Sequence, residues 1–564
     1  MQDQKFKLDQ RRWVVQLALT TGLALLFLAA LLWGLRSVTP ARADPGIRYV
    51  DGTTGSDDSD CSDQAAPCET IGYALTQAGN GDEILIAAGT YTETLDVEGD
   101  PITLRGGHTV SGTAWLPRSG ETIVDADGAN NSVFTISPNN NVTLEGITIQ
   151  GANHTFDEGG GFYINGATVV ISNTVIRDNS TVGPGSGVWI ENSVGAENVK
   201  VSLLNSTVIN NDSANGAAGL MVGDGDPIEV TIENTIFTGN TGNDVLTLDN
   251  QPFEMIGGQV SSNTVTGQSA INISGSGSGT ISGTEIISNT SSAIGIWSFD
   301  NVVSAHNLTI RGNTGGGIVN RGTLTLTNSL IENNSGGDWF LITSVNEDAP
   351  GTEHMLLDGC TIRGNSDTPG IVGLSGHAQV WDTVIAGNDN VANNGDVINI
   401  WSDAIKVNLV NVLLADNESA RPVVNGNAAT STISLMNVTL AGNSVLNFPI
   451  LAGEGIWTVT NTIIWGNTAP DDMLGLGTFS VNYSDIEGGW TGSGNLDTDP
   501  LFVNAANSDY RLGVGSPCID KGTSAGAPAA DIGGAPRDSA PDMGAYEWVG
   551  FRIFLPLTLR NVGP

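Results

Sequence analysis

The sequence predicts an all-β chain wound into a parallel β-helix solenoid of about 13 or more coils, with a short N-terminal capping helix. Three observations carry that reading. One short phrase recurs along most of the 564 residues. Apolar residues alternate within it, and glycine-rich strand starts follow it after loops of variable length.

The phrase reads NTVIRDN at 173–179, NTIFTGN at 234–240, GCTIRGN at 359–365 and NTIIWGN at 461–467. Its last position falls at Asn179, Asp212, Asn240, Asn263, Asn289, Asn313, Asn334, Asn365, Asn388, Asn417, Asn443, Asn467 and Gly489. The mean spacing is about 26 residues, a period that signals a solenoid or array rather than one compact core. Within one period Val169, Ile171, Thr174 and Ile176 share a face, and Leu324, Leu326, Ser329 and Ile331 repeat the pattern. Period-two alternation rich in β-branched residues indicates strands. Strand starts such as GGGFYI at 159–164 and GSGVWI at 185–190 follow each loop. Short strands of this kind bury a face only by stacking coil on coil. Each Asn then stands over the Asn of the previous coil, where its amide can bond up and down the column. Asn also tolerates the left-handed backbone of a tight corner. A residue that recurs whatever loop follows it is read as a structural rung, not as a binding site. Function is sought in the variable loops after each Asn and at the outward position held by Arg177.

Open solenoid ends need covers. Ile71, Ala74, Leu75 and Ala78 have helical spacing and suit a cap on the first coil. Cys61 and Cys68 lie close together in a polar loop, and a local disulfide is expected. Cys360 replaces the Thr or Ser of the phrase and reads as a small buried side chain. A Cys360–Cys518 bridge is disfavoured by the number of coils between them, unless the tail folds back.

The expected layout is an N-terminal cap and first coils over 44–107, repeats over 108–495, a C-terminal domain over 496–548 and an apolar, basic tail over 549–564. The stretch from Tyr49, YVDGTTGSDDSDCSDQAAPCETIGYAL, followed by GDEILIAAGTYTE, resembles the opening of right-handed parallel β-helices of the pectin-lyase-like superfamily. That resemblance implies the right hand. The words DPLF, DYRL, GSPCID and DMGAYEW, within 497–548, resemble the choice-of-anchor Q domain of bacterial surface proteins. The resemblance implies attachment to a cell envelope, with the tail FRIFLPLTLRNVGP either a sorting signal or a last strand.

Lys5, Lys7, Arg11 and Arg12 precede an apolar run from Val14 to Leu35, and Ala41-Arg42-Ala43 offers a cleavage site. Residues 1–43 read as a signal peptide, or as an N-terminal membrane anchor given the length of the run. Either places the protein outside the cytoplasm, extracellular or on a bacterial cell surface. The whole chain carries a formal charge of −39; residues 1–43 hold six basic and two acidic side chains, so the remainder carries −43. Such a surface repels nucleic acid.

The chemistry is less legible. Arg177, Arg311, Arg363 and Trp465 occupy outward positions but are separated by unrelated residues, so they form no continuous patch. Asp382 and Asp403 are a candidate carboxylate pair for glycoside hydrolysis, yet pairs are expected by chance among so many acids. Asp57, Asp58 and Asp60, with Asp51 and Asp63, form an oxygen-rich loop of the kind that suits Ca²⁺. The same loop also suits plain solvation, since its spacing matches no calcium motif. Trp189, Trp297, Trp381, Trp401 and Trp490 are candidate sugar platforms, whereas Trp457 aligns with core positions. The reading is a surface or secreted scaffold for adhesion or carbohydrate binding, leaning away from catalysis. The alternative is a polysaccharide lyase or glycoside hydrolase of the same superfamily.

Overall fold

A computed structural model describes residues 46–550, apart from 99–100, 156–158, 226–227, 268, 346–352 and 471–472. The export segment 1–43 and tail residues 551–564 lie outside the described residues. Three long sheets run the length of the solenoid, with 18, 16 and 14 strands. One representative coil contributes Thr168–Ser172 to the first sheet, Val175–Arg177 to the second and Val188–Asn192 to the third. Successive coils pair in parallel and in register. Val169 sits between Val142 and Val201, and Ile176 between Ile149 and Val208.

That register follows from the alternation. In Thr168–Ser172 the second and fourth side chains are buried and the others face outward. A one-residue slip would turn every apolar side chain to solvent. The inward column of the second sheet, Ile149, Ile176, Val208, Phe237, Val260, Ile286, Ile310 and Ile331, is wholly buried. Beside it runs a column of small polar residues, including Thr174, Ser206, Thr235 and Ser329, whose hydroxyls donate to the carbonyl two residues earlier. Cys360 belongs to this column: its Sγ contacts the Leu326 and Asp358 carbonyls, and burial pushes the thiol up to about 11. Cys360 and Cys518 are both free and buried.

The Asn column is continuous. Each Asn Nδ2 donates to the Oδ1 of the Asn one coil on, at 2.9–3.1 Å. The same Oδ1 also accepts the backbone N–H of the previous Asn, as from Asn289 to Asn313 at 3.0 Å. The second Nδ2 proton goes to a strand carbonyl of the previous coil, as from Asn313 to Ile286 at 2.9 Å. Three corrections follow. The rung between Asn179 and Asn240 is Asn211, not Asp212; Asp212 begins the next short strand, opposite Ser180. The left-handed backbone belongs to the residue before each rung, as at Asp178, Asn210, Ser262 and Ser288, not to the rung itself. Gly489 occupies no rung of the bonded column, which ends at Asn467.

A second left-handed column marks the corner between the first and second sheets: Asn173, Asn205, Asn234, Asn307, Asn328, Asn411, Asn437 and Asn461. The first five are exposed and the last three buried. What covers the last three is the C-terminal stretch, which forms one compact unit with the coils. Asn437 Nδ2 donates to the carbonyls of Asp542 at 3.0 Å and Gly544 at 3.2 Å, and Asn461 exchanges bonds with Thr523. Asn411 Nδ2 donates to the Ala530 carbonyl at 2.7 Å. Under this strap the outward side chains of the second sheet are mostly apolar; the exceptions, Thr439 and Asp485, accept from the Ala545 N–H and the Cys518 thiol of the strap. Leu413, Ala415 and Ala441 pack on Tyr510, and Ile463 packs on Leu512, Cys518 and Met543. Trp465 joins the latter cluster, so it is a contact of the strap and not part of a free outward face.

Arg537 lies at the centre of the strap with its side chain 1% exposed. It pairs with Glu547 at 3.0 Å and donates to Asn411 Oδ1 and to the Gly544 and Ala545 carbonyls. Asp542 accepts the backbone N–H groups of Asp520 and Trp548. Burial, with the charges of Glu547 and Asp520, raises its carboxyl to about 6, above the ordinary 3.8. A group raised on folding stabilises fully below its unfolded value and loses that contribution as pH rises through its folded value. The strap is therefore expected to hold more tightly at about pH 4.5 than at about pH 7.5. Hydrogen exchange of residues 516–548 at the two pH values, corrected for intrinsic rate, checks this. Asp542→Asn is expected to flatten the difference.

At the N-terminal end helix α1 (Ile71–Gln77) buries Ile71, Ala74 and Leu75 on the first coils. Glu93 of the next coil accepts its first N–H groups, from Ile71 at 2.9 Å and Gly72 at 2.7 Å. The Cys61–Cys68 disulfide is formed, with Cα atoms 5.1 Å apart. At the other end Phe479 stacks on the buried Trp457, and Trp490 meets Phe479 edge-on.

Candidate recognition cleft

The loops after the rungs Asn417, Asn443 and Asn467 stand side by side on the outer face of the third sheet. Between them lies a cleft of about 1160 Å³. Its floor is the end of that sheet, Val424–Gly426 and Leu451–Ala452, with Leu474 bridged to Leu451. Arg421, Phe448 and Pro470 rise from the three loops, and Asn425, Asn427, Asn447 and Glu454 supply polar atoms. Phe448 is exposed. The Arg421 guanidinium lies over its ring at 5.6 Å from the centroid.

Beneath the cleft is Asp396, 2% exposed. Its Oδ1 accepts Asn425 Nδ2 at 2.9 Å and lies 3.4 Å from Arg421 Nε, and Asn399 donates to its other oxygen. Burial pushes the Asp396 carboxyl above the usual range, and those donors and the Arg421 charge oppose that rise. Asn427 Nδ2 continues the chain of amides to Asn399 at 3.3 Å. The result is an aromatic edge, an oriented guanidinium and amides on a rigid sheet. Amides offer donors and acceptors together, which suits hydroxyl-rich ligands. An exposed ring beside such a sheet suits a sugar's apolar face.

The residues singled out in the sequence are placed as follows. Arg177 donates to Gln150 Oε1 at 2.8 Å, and Arg311 and Arg363 flank Glu332 on consecutive coils. Asp382 sits at the corner between the first and second sheets, accepting Asn411 Nδ2 at 2.8 Å. Asp403 sits in the loop between the third sheet and the next coil, accepting the Thr430 hydroxyl at 3.0 Å. The two carboxylates are therefore not brought together. Asp57 binds the N–H groups of Glu69 and Thr70 and the Thr70 hydroxyl, tying the acidic loop to α1. Asp60 accepts from Ser62 and faces Arg48, and Asp58 is exposed. Among the described residues no group of three or more His, Cys, Asp or Glu is placed to hold a metal ion. Trp189 is buried over Gly223, Trp297 lies under Arg321, and Trp401 stacks on Phe340 at 5.5 Å. Trp381 is exposed.

Residues 186–347 match the family model described as the right handed beta helix region. Together with the parallel, in-register sheets, that match decides the architecture. The chain is a right-handed parallel β-helix repeat protein. One curated relative of this β-helix is the uncharacterized protein YwoF of Bacillus subtilis (strain 168), 29% identical over 136 residues. The match spans 23% of this chain and 27% of that protein, so the chain covers about a quarter of its relative's length. Solved structures similar to the β-helix include pectate lyase Pel9A, at 13% identity and TM-score 0.21, covering 90% of this chain and 97% of that one. The catalytic domain of a GH87 alpha-1,3-glucanase in complex with nigerose matches at 13% identity and TM-score 0.31, covering 77% and 71%. The periplasmic alginate epimerase AlgG matches at 10% identity and TM-score 0.21, covering 71% and 77%. At these values the likenesses say nothing about activity.

The cleft was missed in the sequence because its parts are three loops of different length and composition. The one available signal was the aromatic-proline pair Phe448-Pro449 in an otherwise polar loop.

Proposed function

We propose that this β-helix is an exported surface or secreted protein that binds carbohydrate in the cleft without cleaving it. The observation that carries the reading is the exposed Phe448 ring under Arg421, beside amides fixed by the buried Asp396. Rigid elements of this kind hold a bound sugar at low entropic cost. The export segment and the anchor-Q-like words of the strap support placement at a bacterial envelope. Ca²⁺ enters this reading only as a condition to vary.

The test is a polysaccharide panel presented to the purified exported portion, with and without Ca²⁺, scoring retention and cleavage together. Retention without cleavage is expected, and Phe448→Ala is expected to reduce it by about tenfold, the loss of one stacked ring. Release of oligosaccharide from any polymer overturns the non-enzymatic reading. The buried Asp396, with its raised carboxyl, is then the first residue to replace.

A further inference from the structure

Resting on the carbohydrate reading of the same cleft, we infer that its ligand is a neutral glycan and that uronate polymers are disfavoured. Among the described residues lining the cleft, Arg421 is the one basic side chain and Glu454 the one acidic side chain. A lone arginine in a sugar cleft invites a carboxylate, but this one already has a buried counter-charge beside it, in an ion pair that its Nε makes without a hydrogen bond. Its Nε faces Asp396 Oδ1 at 3.4 Å, and its guanidinium is laid over Phe448.

Asp396 cannot swing away to release it. The carboxylate is 2% exposed and is held by Asn425 at 2.9 Å and by Asn399 on its other oxygen. A uronate arriving at Arg421 therefore meets a guanidinium whose charge is balanced from below, with Glu454 on the rim. The chain as a whole carries 60 acidic against 21 basic residues. Its long-range field repels an anionic polymer at low salt. The remaining polar groups, Asn425, Asn427 and Asn447, are amides that recognise hydroxyls without asking for charge. In this geometry Arg421 positions the Phe448 ring and donates to neutral oxygens, while Asp396 acts as a counter-charge that excludes acids. Specificity of this kind comes from the repulsive element as much as from the attractive one.

The experiment compares matched polymers that differ in charge alone. Amylose, β-1,3-glucan and galactomannan are each presented native and after oxidation of their primary alcohols to carboxylates, beside polygalacturonate. Retention is read by affinity electrophoresis at low and high salt. At least one native polymer is expected to be retained, with its oxidised form bound about tenfold more weakly at low salt and closer to parity at high salt. Asp396→Asn removes the counter-charge and is expected to narrow that gap. Phe448→Ala, a surface change, is expected to weaken all forms alike and controls for a folding defect in Asp396→Asn. Retention of polygalacturonate or of the oxidised forms equal to or above the native ones overturns the inference while leaving carbohydrate binding standing. Retention of no polymer overturns both.

Discussion

Asn313→Ala is expected to lower the free energy of unfolding by about 4 kcal/mol, measured from urea transitions. The side chain accepts the Asn289 backbone N–H at 3.0 Å and its Nδ2–H at 3.0 Å, and donates to the Ile286 carbonyl and to Asn334 Oδ1. Alanine strands two donors of Asn289 and a carbonyl in a column with no solvent access. Each stranded buried group costs about 1–3 kcal/mol. The Asn334 Oδ1 keeps the backbone N–H of residue 313, which limits the loss on that side. Asn307→Ala, six residues earlier at an exposed corner, serves as the contrast. It loses a residue suited to its left-handed backbone, at φ 54°, but strands nothing buried. Its cost is expected to be about 1 kcal/mol. Because a repeat array unfolds by neighbouring units, the Asn313 loss should concentrate in the coils around it.

Arg537→Ala carries the second large effect. It leaves Glu547, with a side chain 7% exposed, without its ion-pair partner under the strap. Breaking a buried pair by removing one member costs about 3–5 kcal/mol. The expected result is release of the strap without loss of the solenoid: rapid proteolysis within 516–548 and retained β-sheet signal. Exposure of Leu413, Ile463 and Met543 should then increase binding of an apolar dye. Arg363→Ala, which breaks an exposed pair with Glu332, is expected to change stability by less than about 1 kcal/mol. If the two variants behave alike, the strap is not held by its buried arginine.

The solenoid was legible because its signals are local and repeated. Val169 and Ile171 in one strand, and Ile176 in the next, announce the buried faces within a few residues of sequence. The column of rungs could be placed from spacing, except where the paired letters Asn210-Asn211 let the alignment slip to Asp212 and at Gly489, where the column has already ended. The left-handed corner was assigned to the rung itself because Asn suits both roles. Backbone geometry separates them, giving that conformation to Asp178 and the residues equivalent to it.

What was not legible depends on contacts distant in sequence. Asn437 and Asn461 look like Asn205 and Asn234, and only residues near 523 and 542–544 make them buried. A signal did exist in the outward positions of the second sheet. They pass from Arg177, Glu285, Arg311 and Glu332 to Val384, Ala386, Leu413, Ala415, Ala441 and Ile463, a charge-free stripe that a free surface has no reason to carry. Cleft residues Arg421 and Phe448 were equally hidden, because the loop after each rung is set by its own length and not by the repeat.

The recurring Asn is a rung, and recognition belongs to the cleft between the loops that follow three of the rungs. The most direct measurement of that claim is glycan retention per folded molecule for Asn313→Ala, on a polymer that the unaltered protein retains. Retention equal to the unaltered protein, alongside a large loss of stability, is the expected result. Lost retention with unchanged stability would show the repeated Asn to be a binding residue and contradict the structural ladder.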